Sequence, residues 1–327
     1  MKRGLILVAA LPLLLGAAGD VPELILPIAC KLGVSCAVQN YVDVDPSPGV
    51  KDFHCGQRTY DKHGGTDIRL QSMAQQKSGV AVLAAATGTV LRVRDGVPDI
   101  SVKERGQASV DNAECGNGVV IAHAGGLETQ YCHMAKGSIS VKPGQKVAAG
   151  APIGKVGLSG NTEYPHLHIT VRKDGARADP FALGAKPGQC DGGRNIWAAS
   201  SGLNTGYQGG QVLNAGFATG PVTMAMAMER GESQEPRPSR SGPALVAFVQ
   251  SIGLQQGDVQ RLSVTAPGGA GFAENRAQPL DRDKAQTILF AGKKRPAAGW
   301  PAGRYVAHYS VERGGRTVID RRFAITL

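Results

Sequence analysis

Four histidines and one aspartate fall in three short stretches of this sequence: HGGTD (63–67), QYCHM (130–134) and HLH (166–168). The β-branched run Ile169, Thr170, Val171 follows HLH, so the segment reads as a strand, and a strand turns His166 and His168 to the same face. Two imidazoles sharing one neighbourhood unpaired would be costly near neutral pH; a metal, or a reaction that needs imidazole, resolves the conflict. His63 and Asp67 would share a face of a helix and form an ordinary surface pair there, but Gly64 and Gly65 between them argue against a helix. A glycine-bent loop can instead fold both side chains toward one point. Zinc takes imidazole nitrogen and carboxylate oxygen, and a catalytic zinc keeps three protein ligands and an open position. His63, Asp67 and one histidine of the HLH pair make such a set. The other histidine of the pair, and His133, are then imidazoles with a pKa suited to moving protons. The helical zinc motif H-E-x-x-H, which supplies a glutamate base, is absent.

The elements that must position these residues are strands. Between 52 and 183 the chain alternates short apolar runs with glycine turns. VAVLAA (80–85) and GTVLRVR (88–94) are two such runs, and GVVIAHA (118–124), Gly125-Gly126 and LETQYCHM (127–134) read as a hairpin that carries His133 on its second arm. SISVKPGQKVAAGAPIGKVGLSG (138–160) is punctuated by Pro-Gly and Gly, and HLHITVR (166–172) is a further strand. The expectation is mainly β: an antiparallel β-sheet catalytic domain at 52–190, after a proline-containing lead-in at 20–51. A Gly-, Ser-, Ala- and Asn-rich linker at 191–215 then leads to a small C-terminal β-sandwich at 216–327 that serves as an accessory domain. In that last part, Tyr305, Ala307, Tyr309 and Val311 alternate along one arm of a terminal hairpin around Gly314-Gly315, and Ile319, Phe323 and Ile325 along the other. No catalytic constellation is visible there, and His308, its only histidine, reads as structural.

The ordered set HGGTD, VAVLAAATGTV, GVVIAH, YCHM, PGQKVAAGAPIGKVGLSG and PHLH, spanning about 60–183, resembles the lysostaphin-type (LytM-type) zinc endopeptidases. These cleave peptide cross-links or stem peptides of bacterial cell walls. Singly the short motifs are weak; in this order and spacing they are specific. The resemblance implies a lysostaphin-type catalytic domain that binds Zn2+ through His63, Asp67 and His168, with His133 and His166 as the catalytic histidines. It also implies peptidoglycan peptides as substrate. It does not say which of His133 and His166 is the base. All five positions are filled, which counts against the family's non-catalytic members, the regulators or activators of other wall hydrolases; that reading is the alternative. Asn161 and Glu163, in the loop before HLH, and His123, at a strand end, are weaker candidates for touching substrate. Tyr60, three residues before His63, has no assigned role, and His54 reads as structural. The polar insertion 95–114 is either a surface loop or a wall of the substrate groove.

The ends and composition place this chemistry outside the cytoplasm. MKRGLILVAALPLLLGAAGD has the basic start, apolar run and small residues of a cleaved signal at 1–19, and no second long apolar segment follows, so no transmembrane span is expected in the mature chain. Six cysteines in an exported chain read as up to three disulfides. Six cysteines allow 15 connectivities, and the sequence leaves the choice open: Cys30–Cys36 fits their proximity, Cys115–Cys132 fits the hairpin they flank, and Cys55–Cys190 is what then remains. The expected location is periplasmic or secreted. The formal net charge of +10 becomes +8 without Lys2 and Arg3 and favours an anionic envelope or polymer. No cluster of basic and aromatic residues points to nucleic acid.

Overall fold

The structure, a computed structural model, describes residues 20–327. The expected signal segment, 1–19, lies outside the described residues. The chain is mainly β, in two modules.

The first module is built from β1 (Cys36–Asn40), β2 (Thr66–Leu70), β3 (Ala81–Leu83), β4 (Gly88–Arg94), β5 (Asn117–Ala122), β6 (Leu127–Met134), β7 (Lys146–Val147), β8 (Pro152–Lys155), β9 (His166–Lys173) and β10 (Ala176–Ala178). Two short helices join them, α1 (Met73–Lys77) and α2 (Val102–Arg105). The main sheet runs β1-β2-β9-β6-β5-β4-β7 with β10 paired to β9, while β3 and β8 form a separate ribbon. Every strand pairing in it is antiparallel. Strand β9 therefore lies centrally, between β2 and β6, and receives neighbours carrying each of the other two histidine motifs. Leu167, Ile169 and Val171 on one face of β9 are fully buried with Ile68, Leu70, Val119, Ile121 and Tyr131. That apolar face anchors the strand; the opposite face is free for polar side chains.

Segments outside the strands also enter this core. Leu24 and Ile28 from the lead-in, and Ile196, Trp197 and Leu203 from the stretch expected as a linker, are buried in the same cluster. Three disulfides are formed: Cys30–Cys36, Cys55–Cys190 and Cys115–Cys132. The second closes a 135-residue separation and ties the segment before β2 to the segment after β10.

The second module comprises β11 (Gln211–Ala218), α3 (Met224–Arg230), β12 (Ala244–Leu254), β13 (Val259–Thr265), β14 (Gly271–Arg276), β15 (Lys284–Lys294), β16 (Arg304–Arg313) and β17 (Arg316–Thr326). Two antiparallel sheets, β11-β12-β15 and β14-β13-β16-β17, enclose a core of Leu245, Ala247, Val249, Leu262, Val264, Tyr305, Ala307, Tyr309 and Val311. The strict alternation along β16 is what a strand with one solvated face requires. The modules meet through an apolar contact of Ala37, Leu213 and Ile252, and through polar bonds that include Gln39 to the Ala285 carbonyl (3.1 Å) and Asn214 to the Gln71 carbonyl (2.9 Å). No described helix is long and apolar enough to cross a membrane.

Candidate active site

Register places the first residues of the site. Antiparallel pairing sets Asp67 of β2 opposite His168 of β9, and Arg69 opposite His166. Paired residues point to one face, so Asp67, Arg69, His166 and His168 share it. His63 arrives from the turn before β2, where its backbone N–H bonds the Tyr60 carbonyl. Gly65 is required in that turn: a Cβ there would lie 2.5 Å from His168 Nε2 and 2.5 Å from the Ile169 carbonyl oxygen. The glycines between His63 and Asp67 thus let the loop close over β9.

His133 reaches the site by a different route. Cys132 pairs with His168, so regular alternation would send His133 to the opposite face. Instead His133 has φ of 60°, a left-handed conformation that costs a non-glycine residue about 1–3 kcal/mol. Neighbouring bonds hold it there: its N–H donates to the Cys115 carbonyl (2.8 Å), its carbonyl accepts from Gly157 N–H (2.8 Å), and the adjacent Cys115–Cys132 disulfide closes the same corner. Its ring ends 4.6 Å from that of His166 and 6.0 Å from that of His168, centroid to centroid.

The result is a buried polar cluster. Asp67 Oδ1 lies 2.8 Å from His168 Nδ1, 3.2 Å from His63 Nε2 and 3.4 Å from His166 Nε2. His63, Asp67 and His168 each offer a ligand atom within 4.8 Å of the others, a geometry able to hold a metal ion. The outer atoms of the rings decide what the inner ones present. His63 Nδ1 donates to the Tyr41 carbonyl (2.6 Å), His133 Nδ1 to the Ser159 carbonyl (2.8 Å) and His166 Nδ1 to the Tyr164 carbonyl (3.0 Å), with the Thr162 hydroxyl 3.1 Å away. His168 is turned the other way: its Nε2 meets the Thr170 hydroxyl at 3.0 Å and Nδ1 faces inward. A carbonyl only accepts, so in the neutral rings of His63, His133 and His166 the proton sits on Nδ1 and a lone pair points into the cluster; for His168 the Thr170 hydroxyl is able to accept from Nε2 and leave Nδ1 free. Lone pairs and a carboxylate converging in a buried space call for a cation, and the donor set of two imidazoles and one carboxylate suits zinc.

The electrostatics agree. Burial alone would raise the Asp67 carboxyl, but the His63 and His166 imidazoles beside it and its close contacts with His166 and His168 hold it well below the usual carboxylate range. Burial, with the nearby His166 and His168, pushes His133 well below the ordinary imidazole value. Burial lowers His168 as well, against the bond to Asp67. In His63 the opposing effect of burial is outweighed by Asp67, and its pKa is raised.

The weaker candidates fall elsewhere. His123 has both ring nitrogens engaged, with the Thr87 carbonyl (2.9 Å) and the Thr129 hydroxyl (2.7 Å), and Thr129 pairs with Val171, three residues along β9 from His168. The structure does not bring it into the cluster. Asn161 is exposed in the loop before β9, and Glu163 there pairs with Lys103 (2.7 Å) of the 95–114 insertion. That insertion folds onto the same loop, since Val102 N–H donates to the Thr162 carbonyl (3.0 Å). Tyr60 packs its ring 4.4 Å from that of His63. His54 pairs with Asp191 beside the Cys55–Cys190 bridge, and His308 pairs with Asp320 (2.8 Å) on the surface of the second module. Sequence reasoning did not find Tyr41, Asn40, Ser159, Thr162 or Tyr164, which orient the cluster; Asn40 donates to Asp67 Oδ2 at 2.9 Å. Only Thr162 and Tyr164, close before His166, stood near enough in the chain to draw attention.

Residues 61–180 match the description "Peptidase family M23". This part of the chain matches a peptidase M23 domain. Among curated proteins, the chain is 36% identical over 101 residues to the DD-carboxypeptidase/endopeptidase Mpg of Neisseria meningitidis serogroup B, covering 31% of this chain and 21% of that protein. It is 33% identical over 109 residues to the peptidoglycan DD-endopeptidase ShyA of Vibrio cholerae serotype O1, covering 33% and 20%. It is 32% identical over 130 residues to the cell division protein DipM of Caulobacter vibrioides, covering 40% and 17%. The match thus spans about a fifth of each relative. Among solved structures, the catalytic domain of the prophage-encoded M23 protein EnpA from Enterococcus faecalis is 25% identical, covers 48% of this chain and 98% of that one, and superposes with a TM-score of 0.33.

Proposed function

We propose that the chain is an exported zinc endopeptidase that hydrolyses peptide bonds in bacterial peptidoglycan. The observation that carries this reading is the set of inward-facing atoms: Asp67 Oδ1, His63 Nε2 and His168 Nδ1 around one point, with His133 and His166 beside it. Curated relatives named as peptidoglycan DD-endopeptidase and DD-carboxypeptidase/endopeptidase support the substrate class, and three disulfides support export.

In this reading His63, Asp67 and His168 hold the metal. A zinc ion there would supply Lewis-acid activation of a scissile carbonyl and of water at neutral pH. The remaining work belongs to the chain. Tyr41, Thr170 and Asn40 fix the orientation of the three ligands. Tyr164 and Ser159 keep a proton on the outer nitrogens of His166 and His133, so each ring presents a lone pair at Nε2. With ring centroids 4.6 Å apart, one ring can take the proton of the attacking water at its Nε2 and, as the imidazolium so formed, deliver that proton to the departing amine, while the other orients the water through its own Nε2 lone pair. Lys103–Glu163 and the Val102–Thr162 bond join the 95–114 insertion to the loop before β9, and in this reading the insertion is a wall of the substrate groove.

The test is digestion of purified sacculi with the zinc-loaded full chain, followed by mass analysis. The expected products are shorter peptides with new amino termini and intact glycan. A fully zinc-loaded chain that leaves every wall peptide intact would overturn the enzymatic reading and favour a regulator of other wall hydrolases.

A further inference from the structure

Arg69 is almost wholly buried, yet among the described residues no carboxylate pairs with it. Burial pushes its pKa down to about 10. Its Nη1 donates to Gln39 Oε1 (2.9 Å), its Nη2 to Gln286 Oε1 (2.9 Å), and its Nε has no partner. A guanidinium taken from water without a counter-ion is expensive, and an apolar side chain of similar volume would fill the same space at less cost. What the apolar side chain could not do is bond two amides with its edge while stacking its plane on a ring. Arg69 does both: its Cζ sits 4.0 Å from the centroid of the Tyr164 ring.

Tyr164 leads directly to the candidate catalytic histidine. Its ring lies 5.1 Å from that of His166, and its carbonyl accepts the His166 Nδ1 proton at 3.0 Å. On the other side, Gln286 belongs to β15 of the second module. Its Oε1 also accepts from Gln250 Nε2 (3.3 Å), and the Gln250 Oε1 in turn accepts from Asn214 Nδ2 (2.7 Å). Gln250 and Asn214 are fully buried, so the Gln286 amide is anchored by β12 and β11. One connected series therefore runs Gln286, Arg69, Tyr164, His166, and it crosses the junction between the modules.

We propose that the second module is a working part of the active site: through Gln286 it fixes Arg69, and Arg69 fixes Tyr164 and with it the orientation of His166. Arg69 and Gln286 are positioning residues, since neither reaches the reacting atoms. This rests on the peptidase reading for its kinetic consequences, but the orientation of His166 can be measured without it.

The experiment uses the full zinc-loaded chain and four variants. Gln286→Leu removes the acceptor, Gln286→Glu keeps one, Arg69→Lys keeps the charge without the fork, and Lys77→Ala breaks only the Lys77–Glu229 pair (2.7 Å) at the same junction. Gln286→Leu should lower kcat on wall peptides about 10–100-fold, the usual worth of a partner that orients a ligand or base, with KM and zinc content little changed. Gln286→Glu should restore most of that loss, and Lys77→Ala should match the parent. In histidine-labelled protein, the His166 ring signals should move in Gln286→Leu and Arg69→Lys and stay in place in Lys77→Ala. If Gln286→Leu does not fold, Arg69→Lys decides by the same two readouts. Parental turnover with unmoved His166 signals in Gln286→Leu would overturn the proposal, and so would an equal loss in Lys77→Ala. A parent chain that cleaves nothing would sink the peptidase reading instead, and the His166 signals alone would then decide this one.

Discussion

Strands β9 and β16 are both central members of antiparallel sheets, and they use their two faces in opposite ways. β16 alternates strictly: Tyr305, Ala307, Tyr309 and Val311 are wholly buried, and the residues between them are more exposed. β9 is buried on both faces for most of its length, with Leu167, Ile169 and Val171 on one side and His166, His168 and Thr170 on the other. A half-solvated strand needs no polar residue inside. A strand buried on both sides would ordinarily be apolar on both, so polar side chains on one buried face signal a site that stability alone does not explain.

The largest effect should come from the ligands on that polar face. His168→Ala and Asp67→Ala each remove a proposed ligand, and metal content and peptide hydrolysis should fall together. Metal analysis beside turnover checks this, with circular dichroism to confirm folding; a His168→Ala chain that keeps full zinc would mean that the face is not a metal site. The next effect separates neighbours on the same face. His166→Ala and His133→Ala leave His63, Asp67 and His168 in place, so zinc should largely remain while the chemical step falls about 10²–10⁴-fold. Equal zinc loss in His166→Ala and His168→Ala would force the ligand set to be redrawn.

These assignments were not equally legible. The pairing of His166 with His168 follows from a period of two, and the alternation along β16 follows from the same rule, so both could be read from residue order. His133 could not: its side chain lies on the correct face only because its φ is left-handed, and no hydrophobic pattern announces such a break. Its motif makes it a candidate, but only the resemblance assigns it a catalytic role. Asn40 and Tyr41 were invisible for another reason. Asn40 meets Asp67 across a strand pairing and Tyr41 meets His63 just beyond it, 27 and 22 residues distant in sequence, and nothing local marks the partner. Arg69 was hidden by its type, since a lone arginine in a strand reads as an exposed residue. Composition misjudges the stretch around Ile196, Trp197 and Leu203 in a similar way: its glycines and serines suggest a tether, while three apolar side chains seat it in the core.

A buried polar group away from the histidines tests how far the first module tolerates such burial. Asp179 accepts from Phe181 N–H through Oδ1 (2.8 Å), but Oδ2 is buried without a partner. Burial, reinforced by Asp52, pushes its pKa up to about 7. Between about pH 4 and about pH 7 the folded chain keeps a proton that the unfolded chain has lost, so this group's contribution to stability falls as pH rises through that window. Across the whole window the loss is at most on the order of 4 kcal/mol. Asp179→Asn keeps Oδ1 as acceptor and removes the titration. Its stability relative to the parent should therefore grow from pH 4 to pH 7 and level off above. Denaturant midpoints measured on both proteins across that range check this, and a difference that is flat with pH would show that the carboxyl is solvated in the folded chain.

The smallest effect belongs to the second module, where buried polar groups serve packing. Tyr309 is fully buried on β16, and its hydroxyl accepts from Ser251 Oγ (2.9 Å) and donates to Gln260 Oε1 (2.9 Å). Tyr309→Phe keeps the ring and removes those two bonds. Gln260 Oε1 still accepts from the Thr287 hydroxyl (3.0 Å), so the Ser251 hydroxyl is the group left without this partner. One unpaired buried hydroxyl costs about 1–2 kcal/mol. The site should not notice, because Tyr309 has no bond to Gln286 or Arg69. Thermal melts should show a modest loss of stability, with turnover and zinc content unchanged well below the transition. This is the counterpart of Gln286→Leu, a change in the same module that should cost turnover. If Tyr309→Phe slows hydrolysis as much as Gln286→Leu does, the second module supports the site through its overall packing rather than through one series of side chains, and the contrast between β9 and β16 becomes one of degree.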